Sequence, residues 1–451
     1  MVVVRVGICR GLVWQVEQAV EAAWLAVALF VPLALNPWGV NSFELPKALL
    51  LRALVLLMAL AALVRTIERS ERPRPPPLLW PVLGLGLSYA LATALSVNPR
   101  ASLWGSYERQ QGLLTLLACL LLFGLTADGL RRRAQQRRLW AVLVWGSLPM
   151  VVYGLLQASG LDPLAWRTDA ASGVLSTVGR ANFFGSYLVL TVPLTAAWAL
   201  QERRRWLAWL LLASQLFCLA LTQARGAWLG AGVAGLVFAV LWAIINRRWR
   251  VVVAALGLAA LAVGFVALLN LPAGPLAWLA RLPGLERLAT LGRTDAGSTA
   301  ARLTIWRAAL PLIAGRPWLG YGPETLRAVF ARVYPPQLVY YQGRDALVDR
   351  AHNLWLDLAL SAGLAGVAAF AALLAGWGLR AWRGLRRGGR WEQLLWVALV
   401  AAVLGHLVDL QFGFDLTASA TVFWHGIWLP GRAVPGGGTP GGSRVGAAGG
   451  G

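Results

Sequence analysis

Apolar stretches of about 17 to 25 residues recur along this chain from end to end, each near the length a helix needs to cross roughly 30 Å of hydrocarbon. They fall at about 19–36, 48–64, 78–96, 113–127, 139–158, 183–200, 206–222, 227–245, 251–270, 354–379, 394–410 and 416–430. The 451 residues are 58% hydrophobic and 13% charged, far from soluble averages. The expected fold class is all-α: a polytopic membrane protein of about twelve transmembrane helices.

A net charge of +22 invites a nucleic-acid reading, but the placement of the arginines speaks against it. They cluster at "RTIERSERPR" (65–74), "RRRAQQRR" (131–138), "RRR" (203–205), "RRWR" (247–250) and "RAWRGLRRGGR" (380–390). Threading the spans in order puts every cluster on one side, which the positive-inside rule makes cytoplasmic, together with both termini. The runs flank helix ends without an aromatic stacking pattern, so the expected partner is a lipid bilayer and not nucleic acid. The chain is expected to be a multi-pass protein of the plasma (inner) membrane, with one transmembrane domain over 1–430 and a disordered Gly-rich cytoplasmic tail over 431–451. The first span lacks a cleavage pattern and is expected to stay as an anchor. Cys9, Cys119 and Cys218 have no paired spacing, which argues against a disulfide framework or a zinc site.

One connection breaks the pattern. Residues 271–352, between the ninth and tenth spans, form a loop of about eighty residues on the outer face. It carries ten arginines, no lysine and five acids (Glu286, Asp295, Glu324, Asp345 and Asp349). Positive charge is disfavoured on that side, so an anionic partner is the natural explanation. Within it, 275–292 reads as an amphipathic helix lying in the interface plane. A second helix is expected over 297–315, capped by Ser298 or Thr299. Pro323 is expected to start a short helix ended by Pro335 and Pro336, which makes the loop a small helical cap.

His352 closes this loop in "VDRAHNLWLDLALSAGLAG" (348–366). With an ordinary pKa near 6.5, an imidazole outside the membrane can accept a proton and serve as a general base; the competing reading is a helix-start histidine with no chemical role. His406 and His425 lie in apolar stretches, where hydrogen bonding to another helix is the expected role. Arg225 sits in a minimal outer turn of "LTQARGAWLGAGVAG" (221–235), where the choice is between a functional site and snorkelling. Gly226, Gly230 and Gly235 are expected to let neighbouring helices close around it. Further outward candidates are Glu44 and Lys47, read as a helix-start ion pair, Arg109 in "GSYERQQGL", and Arg180 with Asn182 in "GRANFFGSYL". Each of these is either an interfacial anchor or a ligand contact.

"TQARGAWLG", then "TAARLTIWRAALPLIAGRPWLGYGP", then "DRAHNLWLDLALSAGLAG" resembles, in order and spacing, the O-antigen ligase and polymerase family of bacterial membrane glycosyltransferases. "FELPK", "GSYERQQGL" and "GRANFFGSYL" extend the resemblance over most of 40–370. It implies a GT-C-like bundle of about twelve spans with a large external (periplasmic-side) helical loop, and a polyprenyl-diphosphate-linked glycan as donor. His352 falls at the position of the family's essential loop histidine, and Arg225 and Arg302 where its two important arginines lie. The "GRAN" turn (179–182) departs from the Gly-Asn-Pro-Asn turn of many relatives, which leaves the part of Arg180 open.

The implied chemistry needs no metal or other cofactor: guanidinium forks match the charge and geometry of a departing diphosphate, and His352 takes the proton of the attacking hydroxyl. Attack opposite the diphosphate inverts the anomeric centre. The acceptor is a glycan, a lipid core or a protein side chain. The alternatives of a different class are a bicarbonate or small-anion transporter, for whose intramembrane charges Arg52, early in its span, and Asp409, near the end of its own, are the main candidates, and a non-enzymatic envelope assembly protein.

Overall fold

The computed structural model describes residues 2–427 apart from 70–75, 77, 131, 165, 167–172, 203–204, 272–273, 277, 280–281, 283–284, 290–296 and 345–346, with backbone alone for 2–14. The Gly-rich tail, Asp295, Asp345 and parts of the first three basic clusters lie outside these residues. Among the described residues all regular structure is helical. The helices are α1 (Val2–Leu33), α2 (Glu44–Arg69), α3 (Leu79–Ala94), α4 (Pro99–Trp104), α5 (Leu113–Gly129), α6 (Arg133–Trp145), α7 (Ser147–Ala158), α8 (Ala181–Gln201) and α9 (Arg205–Leu221). They continue as α10 (Arg225–Ile245), α11 (Trp249–Leu269), α12 (Leu285–Leu288), α13 (Gly297–Gly315), α14 (Leu326–Phe330), α15 (Leu338–Gln342), α16 (Leu354–Arg387), α17 (Arg390–Asp409) and α18 (Thr417–Gly426).

Every apolar stretch of the sequence falls on one of these helices. Eight segments are long and apolar enough to cross a membrane, α6 and α7 counting as one, whereas α3, α5 and α9 are shorter. The central helix is α8, buried on nearly all sides. By contrast none of the apolar window of α11 is fully buried, as suits a helix facing lipid.

Small residues set the tightest crossing. A Cβ on Gly230 would lie 2.6 Å from the Gly405 carbonyl, and one on Gly405 would lie 2.5 Å from the Gly230 carbonyl, so α10 and α17 approach backbone to backbone. Gly226 faces Asp409 in the same seam, while Gly235 meets open space and plays no part in it.

Buried cations tie the connections to the bundle. The Lys47 ammonium is fully buried and donates to the carbonyls of Ala34 (2.6 Å), Thr177 (2.6 Å) and Phe43 (3.3 Å). Glu44 accepts from the Thr417 amide at 3.3 Å, so the two residues have partners other than the simple pair expected between them. Arg52 donates to the carbonyls of Trp104 (3.0 Å) and Gln110 (3.2 Å) and to the Thr115 hydroxyl, pinning the α4–α5 turn.

The two ends of the bundle differ in chemistry. At one end the basic clusters meet acids: Arg138 with Glu21, Arg137 with Glu202, Arg133 with Glu392, and Arg65 with Asp128. At the other end lie the starts of α8, α10 and α16 and the end of α17. The helix directions alone place these groups apart, since α8 runs from Ala181 to Gln201 and α17 from Arg390 to Asp409.

The long connection folds as a unit with its own apolar core, in which Ile305, Leu312, Leu326, Val329, Phe330, Leu338 and Leu360 are buried. Two expectations for it change, and a third is described only in part. Of the interface helix expected over 275–292, the described residues show the single turn α12, while 277, 280–281, 283–284 and 290–292 lie outside them. Helix α13 already begins at Gly297, so Ser298 and Thr299 lie in its first turn and not at its cap. Pro323 occupies a turn and offers its carbonyl to the Ser102 hydroxyl (2.8 Å), while α14 starts at Leu326.

The tenth apolar stretch is not a straight rod. Helix α16 breaks at Gly363 (φ 66°, ψ −171°), and the loop 317–322 fills the break. Leu364 donates to the Pro317 carbonyl (2.7 Å) and Ala365 to that of Trp318 (3.2 Å). On the other side Tyr321 donates to the Leu360 carbonyl (2.7 Å) and Gly322 to that of Ser361 (3.1 Å). Backbone groups freed by the kink are thus satisfied by protein, which is the condition for irregular backbone at membrane depth. Any side chain at 363 would strike the Trp318 carbonyl.

Candidate functional site

A cavity of about 550 Å³ opens where α8, α9, α10 and α17 end beneath α13. Arg225, the first residue of α10, and Arg302, one turn into α13, both line it. So do Asp409, Ser186, Phe412 and Phe414. Arg180 and Asn182 stand at its rim, exposed, at the start of α8. Two arginines, the amide ends of α8 and α10 and a mixed polar and apolar wall make a chamber suited to an anion joined to an apolar or sugar group.

His352 stands beside this chamber. Its ring lies 5.3 Å from that of Phe414, and Phe414 is part of the chamber wall. The backbone at His352 is left-handed (φ 54°), as it also is at Gln223 before Arg225 and at Glu324 (φ 52° and 61°). Such conformations cost about 1–2 kcal/mol in a residue with a Cβ and persist where the surroundings enforce them. After the histidine, the Asn353 side chain accepts from the amides of Trp355 (3.1 Å) and Leu356 (3.2 Å) and caps α16. The Leu354 amide donates to Leu410 at the end of α17 (2.9 Å), which fixes this helix start against the chamber.

The charges around the ring explain its electrostatics. Burial is the largest effect on His352 and pushes its pKa down, and the Arg302, Arg109 and Arg350 guanidinium groups press in the same direction against Asp349, leaving it at about 4. At neutral pH the ring is therefore uncharged and able to accept a proton. Burial alone would raise the Asp349 carboxyl; Arg109, bonded to it at 2.9 Å, and Arg350 hold it below the usual carboxylate range. Arg302 is pushed down by burial and by the neighbouring Arg225, with Asp409 acting in the opposite sense. Two like charges lining one chamber disfavour each other, and a bound anion would offset that repulsion.

Of the residues singled out from sequence, Arg225, Arg302, Arg180 and Asn182 come together on the chamber, and His352 joins them through Phe414. Arg109 does not line the chamber but is brought near His352, where its guanidinium lies 4.9 Å over the Phe414 ring and bonds Asp349. Glu44 and Lys47 do not line the chamber. His406 is fully buried, with Nδ1 3.3 Å from the Ser186 hydroxyl of α8, and His425 meets the Thr421 carbonyl of its own helix at 2.8 Å. Sequence reasoning missed Phe414, whose apolar character in "QFGFDL" carries no signal, and Asp357 and Glu324, which looked like ordinary helix and loop acids. Among the described residues no group of three or more His, Cys, Asp or Glu side chains is arranged to hold a metal ion.

Long apolar helices gathered into one bundle, with an arginine-lined chamber at one end, define a multi-pass membrane protein. Residues 208–371, from within α9 to within α16, match the family model described as O-antigen ligase, which supports the resemblance carried by the motifs. That range contains Arg225, Arg302 and His352. No curated protein matches the chain.

Proposed function

We propose that this protein moves a glycan from a polyprenyl-diphosphate donor to an acceptor hydroxyl at the outer face of the plasma membrane. The carrying observation is the convergence of Arg225 and Arg302 on one chamber, with the His352 ring packed against Phe414 of its wall. The donor's diphosphate lies between Arg225 and Arg302, its isoprenoid chain leaves toward the bilayer, and Arg180 and Asn182 meet the glycan at the rim. The acceptor oxygen attacks the anomeric carbon, the bond from that carbon to the phosphate oxygen breaks, and its electron pair leaves with the diphosphate. The two guanidinium groups stabilise that charge, and His352 receives the acceptor's proton. The product is inverted at the anomeric centre.

The low pKa of His352 fits this order of events. A free ring near 4 is a weak base, but an anion bound against Arg302 offsets one of the charges that depress it. Donor binding thereby raises the proton affinity of the base at the moment it is needed. The basic loop 271–352 faces outward and the clusters at 131–138 and 247–250 face the cytoplasm. Lys47 and Arg52, spent on backbone carbonyls, are packing groups in this reading.

The test is transfer itself. Purified protein is incubated with a polyprenyl-diphosphate-linked glycan and with lipid-core, glycan and peptide acceptors, and products are followed by mass spectrometry. Transfer to any one acceptor with release of polyprenyl diphosphate supports the reading. Intact donor with all acceptors, under conditions where the donor binds, overturns it.

A further inference from the structure

The left-handed backbone at His352 has to be enforced by its neighbours, and the residue before it is held from two sides. The Ala351 carbonyl accepts from the Trp306 indole of α13 at 2.9 Å. The Ala351 amide donates to Asp357 Oδ1 at 2.7 Å. Asp357 belongs to α16, so its side chain reaches back across the helix start, past His352, to grip the chain upstream.

The setting of Asp357 is unlike that of an ordinary acid near a helix start. An exposed carboxylate there would already suit the helix dipole. Asp357 is buried instead, and its second oxygen has no hydrogen-bond partner among the described residues. Asp357 borders a space of about 10 Å³ that Arg350 and Glu324 also line. Arg350 contacts Glu324 and lies 5.5 Å over the Phe414 ring, the same ring that His352 meets. Burying a carboxylate is costly unless its bonds are needed. The side-chain bond that Asp357 makes runs to the Ala351 amide, immediately before the histidine.

We propose that Asp357 is the positioning residue for His352: by holding the Ala351 amide, it fixes the strained backbone that presents the imidazole at the chamber wall. The inference rests on His352 being the base, and it predicts that Asp357 matters only through that ring. Asparagine keeps an oxygen able to accept the Ala351 amide; alanine does not.

Two measurements decide it. The first needs no turnover: the rate at which diethyl pyrocarbonate modifies His352, read by peptide mass spectrometry, with fully buried His406 and His425 as internal references. Asp357→Ala is expected to raise that rate several-fold and Asp357→Asn to leave it near wild type. An unchanged rate in Asp357→Ala overturns the proposal whatever the protein's activity. The second is a double-mutant cycle with the polyprenyl-diphosphate glycan as donor. Asp357→Ala should lower kcat about 10- to 100-fold with donor KM little changed, and cost under about twofold in a His352→Ala background. Equal losses in both backgrounds mark general damage and sink the idea. If Asp357→Ala does not fold, Trp306→Phe removes the other bond to Ala351 and is expected to show the same dependence on background. Failure of the wild type to transfer any glycan overturns the proposed function separately, and the modification rates still report whether Asp357 holds the ring.

Discussion

The His352 and Phe414 rings lie 5.3 Å apart, centroid to centroid, tilted at 50°. Phe414 also carries the Arg109 guanidinium at 4.9 Å and that of Arg350 at 5.5 Å, and meets Phe183 edge-on at 5.1 Å. One aromatic ring therefore joins the loop histidine, two arginines from distant parts of the chain and the wall of the arginine chamber. Cations stacked on a desolvated ring are each stabilised by about 1–2 kcal/mol. This makes Phe414 the floor on which the titratable groups are arranged.

Arg225→Lys and Arg302→Lys should each lose most transfer activity although charge is kept, because an ammonium cannot reproduce paired contacts to phosphate oxygens. Arg133→Lys, at the opposite end of the bundle beside Glu392, should leave turnover near wild type. Near-normal rates in both chamber variants, measured at saturating donor, would show these arginines to be positive anchors only.

His352→Ala should leave donor binding largely intact while transfer falls by about 10²–10⁴, the usual worth of a general base. His352→Gln should be no better. Separate titration of donor binding and single-turnover transfer distinguishes a base from a phosphate ligand: lost binding with unchanged turnover of bound donor would reassign the residue.

The pKa of about 4 at His352 sets the pH behaviour. The free enzyme's base is uncharged above that value, so kcat/KM should hold level from pH 7 to about 5 with respect to this group and fall only as pH approaches 4. Because the unfolded histidine takes up its proton near 6.5, the same group erodes folding stability as pH falls from about 6.5 to 4 and has no such effect above. Arg302→Gln should move the activity limb upward, since Arg302 is the largest charge acting on the ring. An unshifted limb in that variant, followed by pH-rate profiles, would separate the two residues.

Gly230→Ala and Gly405→Ala should each destabilise the bundle by about 1–3 kcal/mol, because either methyl is forced against a backbone carbonyl of the facing helix. Gly235→Ala meets open space and should be neutral. Thermal unfolding in detergent reads the difference. Equal stability of all three would mean that α10 and α17 are not held at this separation.

A cysteine placed at exposed Gln337 should react with an impermeant maleimide added to intact cells, while one at exposed Ala134 should not. The reverse labelling would invert the bundle and move the donor site to the cytoplasmic face.

Hydropathy alone located the helices, because a segment that must hide its backbone in hydrocarbon advertises itself over 17 or more consecutive residues. Residue chemistry and placement singled out Arg225 and His352, the order of the motifs added Arg302, and the match over 208–371 spans all three. None of these revealed that α16 breaks at Gly363 around the loop 317–322, since a lone glycine in an apolar run is also compatible with an unbroken helix. Nor did they reveal that Lys47 would be spent on three carbonyls while Arg109, 240 residues from Asp349, would reach the flank of His352. Apolar length and helix period are properties of consecutive residues, so the sequence carries them openly. Which charge meets which partner depends on how separate helices stack in space, as the packing around Phe414 shows for Arg109, Arg350 and His352.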